Sequence, residues 1–272
     1  MSNYQAYKVM RIIESEKLSE KVKKIVLEGN LGSSPGQYAM IWVPKVGEIP
    51  ISIAREPRGE TWILVAKVGK VSSAIHSLKV GEELWVRGPY GRGFSLRNGN
   101  CCLIGGGYGI SPLISLSERL KERGDAKIRF YAGFKRKEEV LLEDLLSSIS
   151  DELIITTEDG SYGLKGRVVE LIDFDWPQAI YSAGPEAMLV EVVREALNRN
   201  IYAEISMERL IRCSIGICGS CSLDPLGLLV CRDGPVFDAR TLSLSEDFGR
   251  YWRGFDGRKI RIGGESIGML LR

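Results

Sequence analysis

Four of the six cysteines lie within nineteen residues, as Cys213-Ser-Ile-Gly-Ile-Cys218-Gly-Ser-Cys221 and then, after nine more residues, Cys231. This C-x4-C-x2-C run with a distant fourth cysteine has the ligand spacing of plant-type [2Fe-2S] centres. One tight loop must turn three thiolates to the same point. Gly216 and Gly219 give the backbone the freedom to bend, with N–H groups available to the sulfurs. The fourth thiolate would arrive from Leu228-Leu229-Val230-Cys231, which reads as a strand. A zinc site and unliganded structural thiols are the other readings of this stretch. Zinc usually takes two C-x2-C-type pairs, and only one such pair is present. Cys101 and Cys102 fall in an apolar run, where small buried hydrophobes are expected.

A second chemistry is implied by Leu103-Ile104-Gly105-Gly106-Gly107-Tyr108-Gly109-Ile110-Ser111-Pro112. It reads as a strand, a glycine turn and a helix start, with Ser111 at the N-cap and Pro112 in the first helical position. Bare N–H groups of Gly105, Gly106, Gly107 and Gly109 and the positive helix end would face a phosphate. The run is not G-x-G-x-x-G, and a tight strand-to-helix connection with nothing bound is the plainer alternative. Gly184-Pro185, after Ala179-Ile180-Tyr181, forms a second such turn. Two in one unit point to a nucleotide cleft.

The elements needed to position these groups follow from the hydrophobic pattern. From Tyr4 to Phe94 the chain is a series of short runs rich in β-branched and aromatic residues, separated by turn signals. That predicts a small antiparallel barrel. Val71 to Leu78 reads as a short amphipathic helix in which His76 is structural. Gly88 to Gly93 reads as a hinge. From Asn100 to Asn200 strands alternate with helices expected over Ser111–Glu122, Glu138–Ser148 and Pro185–Leu197, which predicts a covered parallel sheet. Lys135-Arg136-Lys137 reads as a solvated loop, and Tyr251-Trp252 as core packing. The expected fold is α+β multidomain: a flavin-binding type of barrel over 1–96, an α/β nucleotide-binding type of domain over 97–200, and a [2Fe-2S] segment over 201–272.

Composition narrows the class. The chain has 272 residues, with 37 Lys and Arg against 35 Asp and Glu and a net charge of +2. That balance argues against a nucleic-acid surface. The N-terminus has no signal-peptide pattern. The most apolar window, Cys101 to Ile110, is about half a membrane span and rich in glycine. The expectation is a cytoplasmic protein with no membrane contact, whose cysteines are thiols or metal ligands. His76 is the one histidine, so a Rieske centre, which needs two, is excluded. No acid–base pair or activated nucleophile stands out, as expected where cofactors carry the chemistry.

The order of barrel, nucleotide-binding sheet and C-x4-C-x2-C segment resembles the ferredoxin–NADP reductase superfamily. More closely, it resembles the electron-transfer subunits of class 1B dihydroorotate dehydrogenases. The resemblance covers nearly the whole chain. It is carried by Ile49-Pro50-Ile51-Ser52-Ile53, the glycine turn, Thr157 to Gly166, Ala183-Gly184-Pro185-Glu186-Ala187-Met188, and Cys213 to Phe237. It implies FAD on the barrel, a pyridine nucleotide, NAD or NADP, on the second domain, and a [2Fe-2S] cluster on Cys213, Cys218, Cys221 and Cys231. It also implies a heterotetramer with an FMN-containing catalytic subunit in pyrimidine synthesis, electrons passing from FMN through the cluster and FAD to NAD. By position, Pro50, Ile51 and Ser52 would lie against the flavin. Ala66, Lys67 and Ser72 would line the rest of it and its pyrophosphate, and Gly105 to Gly109 with Gly184 and Pro185 would border the nicotinamide. The family pattern has arginine where this chain has Ile49, and Gly-Thr where it has Val71-Ser72. Lys67 and Arg55 are the candidates to replace that arginine's charge. The alternatives are the related subunit of a ferredoxin-dependent NADP reductase or sulfhydrogenase, and a flavin-free metal-bearing docking module.

Overall fold

The computed structural model describes residues 6–262. The first strands are β1 (Lys8–Lys17), β2 (Val22–Glu28), β3 (Tyr38–Val43), β4 (Gly47–Arg55) and β5 (Glu60–Ala66). A helix, α1 (Lys70–Ser77), then leads into β6 (Glu83–Tyr90). The six strands close into an antiparallel barrel in the order β1-β2-β5-β4-β3-β6. Alternation explains the closure: Met10 and Ile12 of β1 point inward between exposed neighbours, and meet Ile25, Ile41, Ile63 and Leu84. The expected helix is α1, which lowers Ile75 into the same core. His76 is structural, its ring Nε2 donating to the Val65 carbonyl at 2.7 Å.

The second unit is built from β7 (Gly99–Gly106), α2 (Ser111–Arg123), β8 (Ala126–Phe134), α3 (Glu143–Ser148), β9 (Glu152–Thr157), β10 (Leu164–Lys165), β11 (Ala179–Ala183), α4 (Glu186–Asn198) and β12 (Tyr202–Ser206). After the cysteines come the hairpin β13 (Ser222–Leu223) and β14 (Leu228–Leu229), then β15 (Val236–Asp238), α5 (Ala239–Ser243), and the hairpin β16 (Tyr251–Arg253) and β17 (Lys259–Arg261). The large sheet runs β10-β9-β8-β7-β11-β12-β15, parallel except for β15. Leu113, Leu116 and Leu120 of α2 cover one face, and Leu189, Val192 and Val193 of α4 the other. This is the doubly covered arrangement that parallel strands require.

Two local expectations are corrected. The helix expected from Glu138 starts only at Glu143, after a separate 3-10 turn at Lys137–Glu139. Leu142 has φ 54°, a left-handed conformation that no helix can run through, while its neighbour Leu141 is anchored in the core. The Gly88–Gly93 stretch is fastened rather than free to hinge. Glu204 of β12 is fully buried and accepts from the Ser95 N–H at 2.7 Å, the Ser95 hydroxyl at 3.0 Å and Arg92 at 3.2 Å. Arg92 N–H also bonds the Gly234 carbonyl. Such a buried carboxylate is tolerable only because every donor around it is supplied. Among the described residues, no helix is long and apolar enough to cross a membrane.

Candidate functional site

The cysteines sit on an excursion between two strands that are neighbours in the sheet, β12 and β15. The neck is closed where the Met207 N–H meets the Pro235 carbonyl at 2.9 Å. Inside it Ser214, Gly216 and Gly219 have φ of 62°, 78° and 70°, which coils the chain around its own sulfurs. The thiols gather as two pairs, Cys213 with Cys218 and Cys221 with Cys231. Cys221 and Cys231 are buried, whereas Cys218 is exposed beside Ile217, which is 77% exposed.

Backbone donors converge on these sulfurs. Burial pushes the Cys213 thiol up, but N–H groups of Cys218, Ile215 and Ile217 outweigh it and bring it down to about 6. The Cys231 thiol and N–H group bring Cys221 down to about 7 against the cost of burial, the N–H lying 3.4 Å from the sulfur. Cys231, hydrogen-bonded to the Cys221 sulfur and buried, is raised, with the Gly216 N–H opposing. N–H groups aimed at sulfur favour thiolate, the form that binds iron. Among the described residues no three His, Cys, Asp or Glu side chains converge as a single ion would need. A two-iron cluster takes two thiolates per iron, so a donor set in two pairs fits it better than one zinc.

The barrel holds this loop directly. Tyr38 of β3 donates from its hydroxyl to the Cys231 carbonyl at 3.2 Å, and Arg87 of β6 donates to the Cys213 carbonyl at 3.1 Å. Arg87 is itself fixed by Glu48 of β4, through Nε at 2.6 Å and a terminal nitrogen at 2.8 Å. In the barrel ladder Tyr38 lies opposite Ser52. The strand that touches the cluster loop is thus paired with the strand expected to carry the flavin.

Gly47 to Ser52 of β4 are half-buried throughout, leaving one side of the strand open. Ile49 and Ile51 pack on the barrel core, so by alternation Pro50 and Ser52 face the other way. The Ser52 hydroxyl makes no hydrogen bond among the described residues. Ala66 ends β5, and Lys67 is exposed at the start of the loop into α1. Ser72 is buried, and its hydroxyl accepts from the Val68 and Gly69 N–H groups at 3.0 and 2.9 Å. It shapes the loop rather than projecting from it. Val71, like Ile49, packs on the barrel core. Arg55 is committed elsewhere: it pairs with Glu118 of α2 at 2.7 Å and stacks on Trp62. Lys67 is the cation left. An open strand face, a free hydroxyl, and a lysine beside the N-terminus of α1 suit a flavin and its phosphates.

The two glycine turns are brought together. Ala183 pairs with Gly105 in the sheet. A Cβ on Gly109 would lie 2.6 Å from Gly184 Cα, and one on Gly106 would lie 2.6 Å from the Pro185 ring. Only glycine allows two backbones to approach so closely. Gly107, with φ 54°, turns the chain into α2. The turns lie at the carboxyl ends of adjacent strands, where open α/β sheets bind ligands.

A second buried anchor was not visible in the sequence. Glu186, the first residue of α4, accepts from Arg209 at 2.5 and 2.8 Å, from the Gly249 N–H at 2.7 Å and from Trp252 Nε1 at 2.8 Å. It joins the Gly184-Pro185 turn to the start of the cysteine excursion and to the final hairpin. Trp252 is therefore core, as expected, whereas Tyr251 is exposed.

Comparisons with known proteins agree with this geometry. Residues 208–243 match the model of the iron-sulfur cluster binding domain of dihydroorotate dehydrogenase B. The chain is 41% identical over 254 residues, 91% of its length and 96% of the relative's, to a probable dihydroorotate dehydrogenase B (NAD(+)) electron transfer subunit of Pyrococcus furiosus. It is 39% identical to the protein so named in Methanocella arvoryzae, covering 89% of this chain and 93% of that one. Among solved structures, one from the NADH-dependent reduced ferredoxin-NADP oxidoreductase superposes with a TM-score of 0.78 at 28% identity, covering 86% of this chain and 89% of that one. The FAD/NAD binding domain of a Vibrio cholerae nitric oxide dioxygenase shares the fold, with a TM-score of 0.64 at 20% identity over 74% of this chain and 99% of that one. With two paired thiol sets on a loop fastened to a reductase-type barrel, and relatives matched along almost their whole length, the chain belongs to the family of dihydroorotate dehydrogenase B electron transfer subunits.

Proposed function

We propose that this chain links the oxidation of dihydroorotate by an FMN-containing partner subunit to the reduction of NAD, in a cytoplasmic heterotetramer serving pyrimidine synthesis. The observation that carries this reading is the junction of Cys231, Tyr38 and Ser52: a cluster-ligand candidate, its barrel clamp, and that clamp's ladder partner on the flavin strand. Cys213, Cys218, Cys221 and Cys231 would hold the cluster. Pro50, Ile51, Ser52, Ala66, Lys67 and Ser72 would line FAD, and Gly105, Gly106, Gly107, Gly109, Gly184 and Pro185 the pyridine nucleotide. When bound, a [2Fe-2S] cluster supplies single-electron transfer and a flavin the exchange between one-electron and two-electron chemistry.

The chain's own residues divide the remaining work. Tyr38 and Arg87 fix the ligand loop against the barrel, and the buried Cys221–Cys231 pair is kept from water beside them. The exposed Ile217 and Cys218 put the other pair at the surface, where a partner subunit can approach. Glu204 fastens the segment that follows the barrel, through Arg92 and Ser95, to the sheet. The relatives' names and the match over the cysteine excursion favour this reading over the related subunit of a ferredoxin-dependent reductase.

The deciding experiment is anaerobic purification with and without the candidate FMN subunit, followed by iron, acid-labile sulfide, zinc and flavin analysis. Two irons and one FAD per chain, co-elution with the FMN subunit, and NAD reduction that requires dihydroorotate are expected. Zinc in place of iron, or dihydroorotate-independent binding to a hydrogenase-like subunit, would overturn the proposal.

A further inference from the structure

The two glycine turns have a third neighbour at the same edge of the sheet. Gly105, Ala183 and Ser206 lie side by side across β7, β11 and β12. The residues just beyond them therefore share one carboxyl edge: Tyr108 past Gly105, Pro185 past Ala183, and Glu208 past Ser206. Electrostatics place the Glu208 carboxyl between the turns. It is the largest influence on the Tyr108 hydroxyl of the first turn, which it raises. It is itself pushed up by Glu186, the residue after Pro185 in the second.

The protein leaves this carboxyl free. Among the described residues its oxygens make no hydrogen bond or ion pair. The adjacent cation, Arg209, is taken up by Glu186 through both terminal nitrogens. Met207 and Arg209 on either side are buried, whereas Glu208 is open to solvent. Even so, loss of hydration is the largest cause raising its carboxyl, to about 7, with Glu186 adding to it and Arg209 opposing. An accessible group that still loses hydration sits in a recess, not on a flat surface. A negative charge in a recess with no partner of its own favours a cationic ligand.

A pyridine nucleotide has one such part. Its nicotinamide ring is a cation when oxidised and neutral when reduced, while its phosphates suit the bare N–H groups and helix end of the glycine turn. Resting on the assignment of the two turns to that nucleotide, we infer that Glu208 is a specificity-determining residue of the site: its carboxylate faces the nicotinamide ring and selects the oxidised, cationic form over the reduced, neutral one. It forms no bond and moves no proton. Its charge favours entry of the acceptor and departure of the product. The other ionisable groups facing it are Tyr108, Glu186 and Arg209. The tyrosine is raised further from neutrality, and the other two are locked in their own ion pair. Glu208 is thus the group whose charge changes near neutral pH, and binding of the oxidised nucleotide should strengthen as the carboxyl ionises.

The test is calorimetric titration of the full-length oxidised protein, purified with its iron and flavin, as wild type and as Glu208→Gln. The ligands are NAD and 1,4,5,6-tetrahydro-NAD, a neutral-ring analogue that cannot pass on a hydride. The wild type should bind NAD about five- to tenfold more tightly at about pH 8 than at about pH 6, and the analogue equally at both. Glu208→Gln should bind NAD at both pH values as weakly as the wild type does at the lower one. Its unchanged affinity for the analogue would show that the cleft is intact. The same pH profile for NAD in both proteins would overturn the role of Glu208. So would equal weakening of NAD and the analogue, because that reports packing and not charge. A wild type that binds neither compound, or affinities untouched by Gly109→Ala, would instead overturn the placement of the nucleotide at the two turns.

Discussion

Tyr38 and Cys231 are 193 residues apart in sequence, yet the tyrosine hydroxyl donates to the cysteine's carbonyl at 3.2 Å in a buried setting. Tyr38→Phe keeps the ring and leaves that buried acceptor without a donor, a change that costs about 1–3 kcal/mol. Chemical denaturation should report a loss of that size. Bleaching of the iron–sulfur absorbance by a chelator should be faster than in the wild type. An unchanged bleaching rate would mean that Arg87 alone secures the loop.

Arg209 and Glu186 form an ion pair with side chains 2% and 7% exposed. Removing one partner of such a pair strands the other, at about 3–5 kcal/mol. Glu186→Ala should lower stability by that amount in a urea titration. It should also release Trp252, whose indole N–H it accepts, with a red shift in tryptophan emission. The double variant Glu186→Ala with Arg209→Leu should recover part of the loss.

Glu56 supplies the pH dependence. Burial pushes its carboxyl up, but the Ser33 hydroxyl, the Leu31 and Ser33 N–H groups and the Thr61 hydroxyl outweigh this and hold it below the usual range. A depressed folded-state value means stability that is present above the unfolded-state pKa, about 4.3 for glutamate, and lost as pH falls through the folded one. Stability of the wild type should therefore drop more steeply below about pH 4.3 than that of Glu56→Gln. Equal slopes for the two proteins in acid would refute the assignment.

Of the two cations considered for the proposed flavin phosphates, Lys67 is the one not committed elsewhere, because Arg55 is tied to Glu118. A charge-assisted hydrogen bond is worth about 1.5–3 kcal/mol, so Lys67→Glu should weaken FAD binding by at least about tenfold. Fluorescence titration of the flavin-stripped protein measures this directly. Riboflavin, which lacks the phosphates, should bind both proteins alike.

Gly109 leaves no room for a side chain, because an added Cβ would meet Gly184 Cα at 2.6 Å and the Ala183 carbonyl oxygen at 2.7 Å. Both are backbone and cannot swing aside. Gly109→Ala should cost about 1–3 kcal/mol and weaken NADH binding in calorimetry by prising the two turns apart. Unaltered affinity would place the nucleotide elsewhere.

The parts of the site that were legible in the sequence are those made of short stretches. The four cysteines and the two glycine turns each lie on a few consecutive residues, so spacing exposes them. The barrel and the parallel sheet show through strand alternation and the rhythm of strand and helix. What spacing could not show is contact across the fold. Tyr38 and Arg87 look like ordinary barrel residues until the cysteine loop is laid on them. Glu186 looks like one more acid at a helix start, a position that favours negative charge. The late start of α3 depends on one leucine at φ 54°, which no propensity foretells. Ser214 could have been noticed, as a non-glycine residue in a loop that must turn sharply.

The cysteine loop is an excursion between two neighbouring strands, so it has consequences for maturation. A nascent chain that has emerged only as far as Cys231 has all four candidate ligands but lacks Val236 to Asp238, the strand that closes the sheet beside β12. The barrel clamps, made long before, have nothing to hold until that strand is laid down. Iron delivered too early would meet a floppy set of thiols open to oxidation. Iron delivered after the last sheet strand has docked would meet a formed cradle. Cluster insertion is therefore expected to be efficient only late, and its yield should report on whether β15 has docked beside β12.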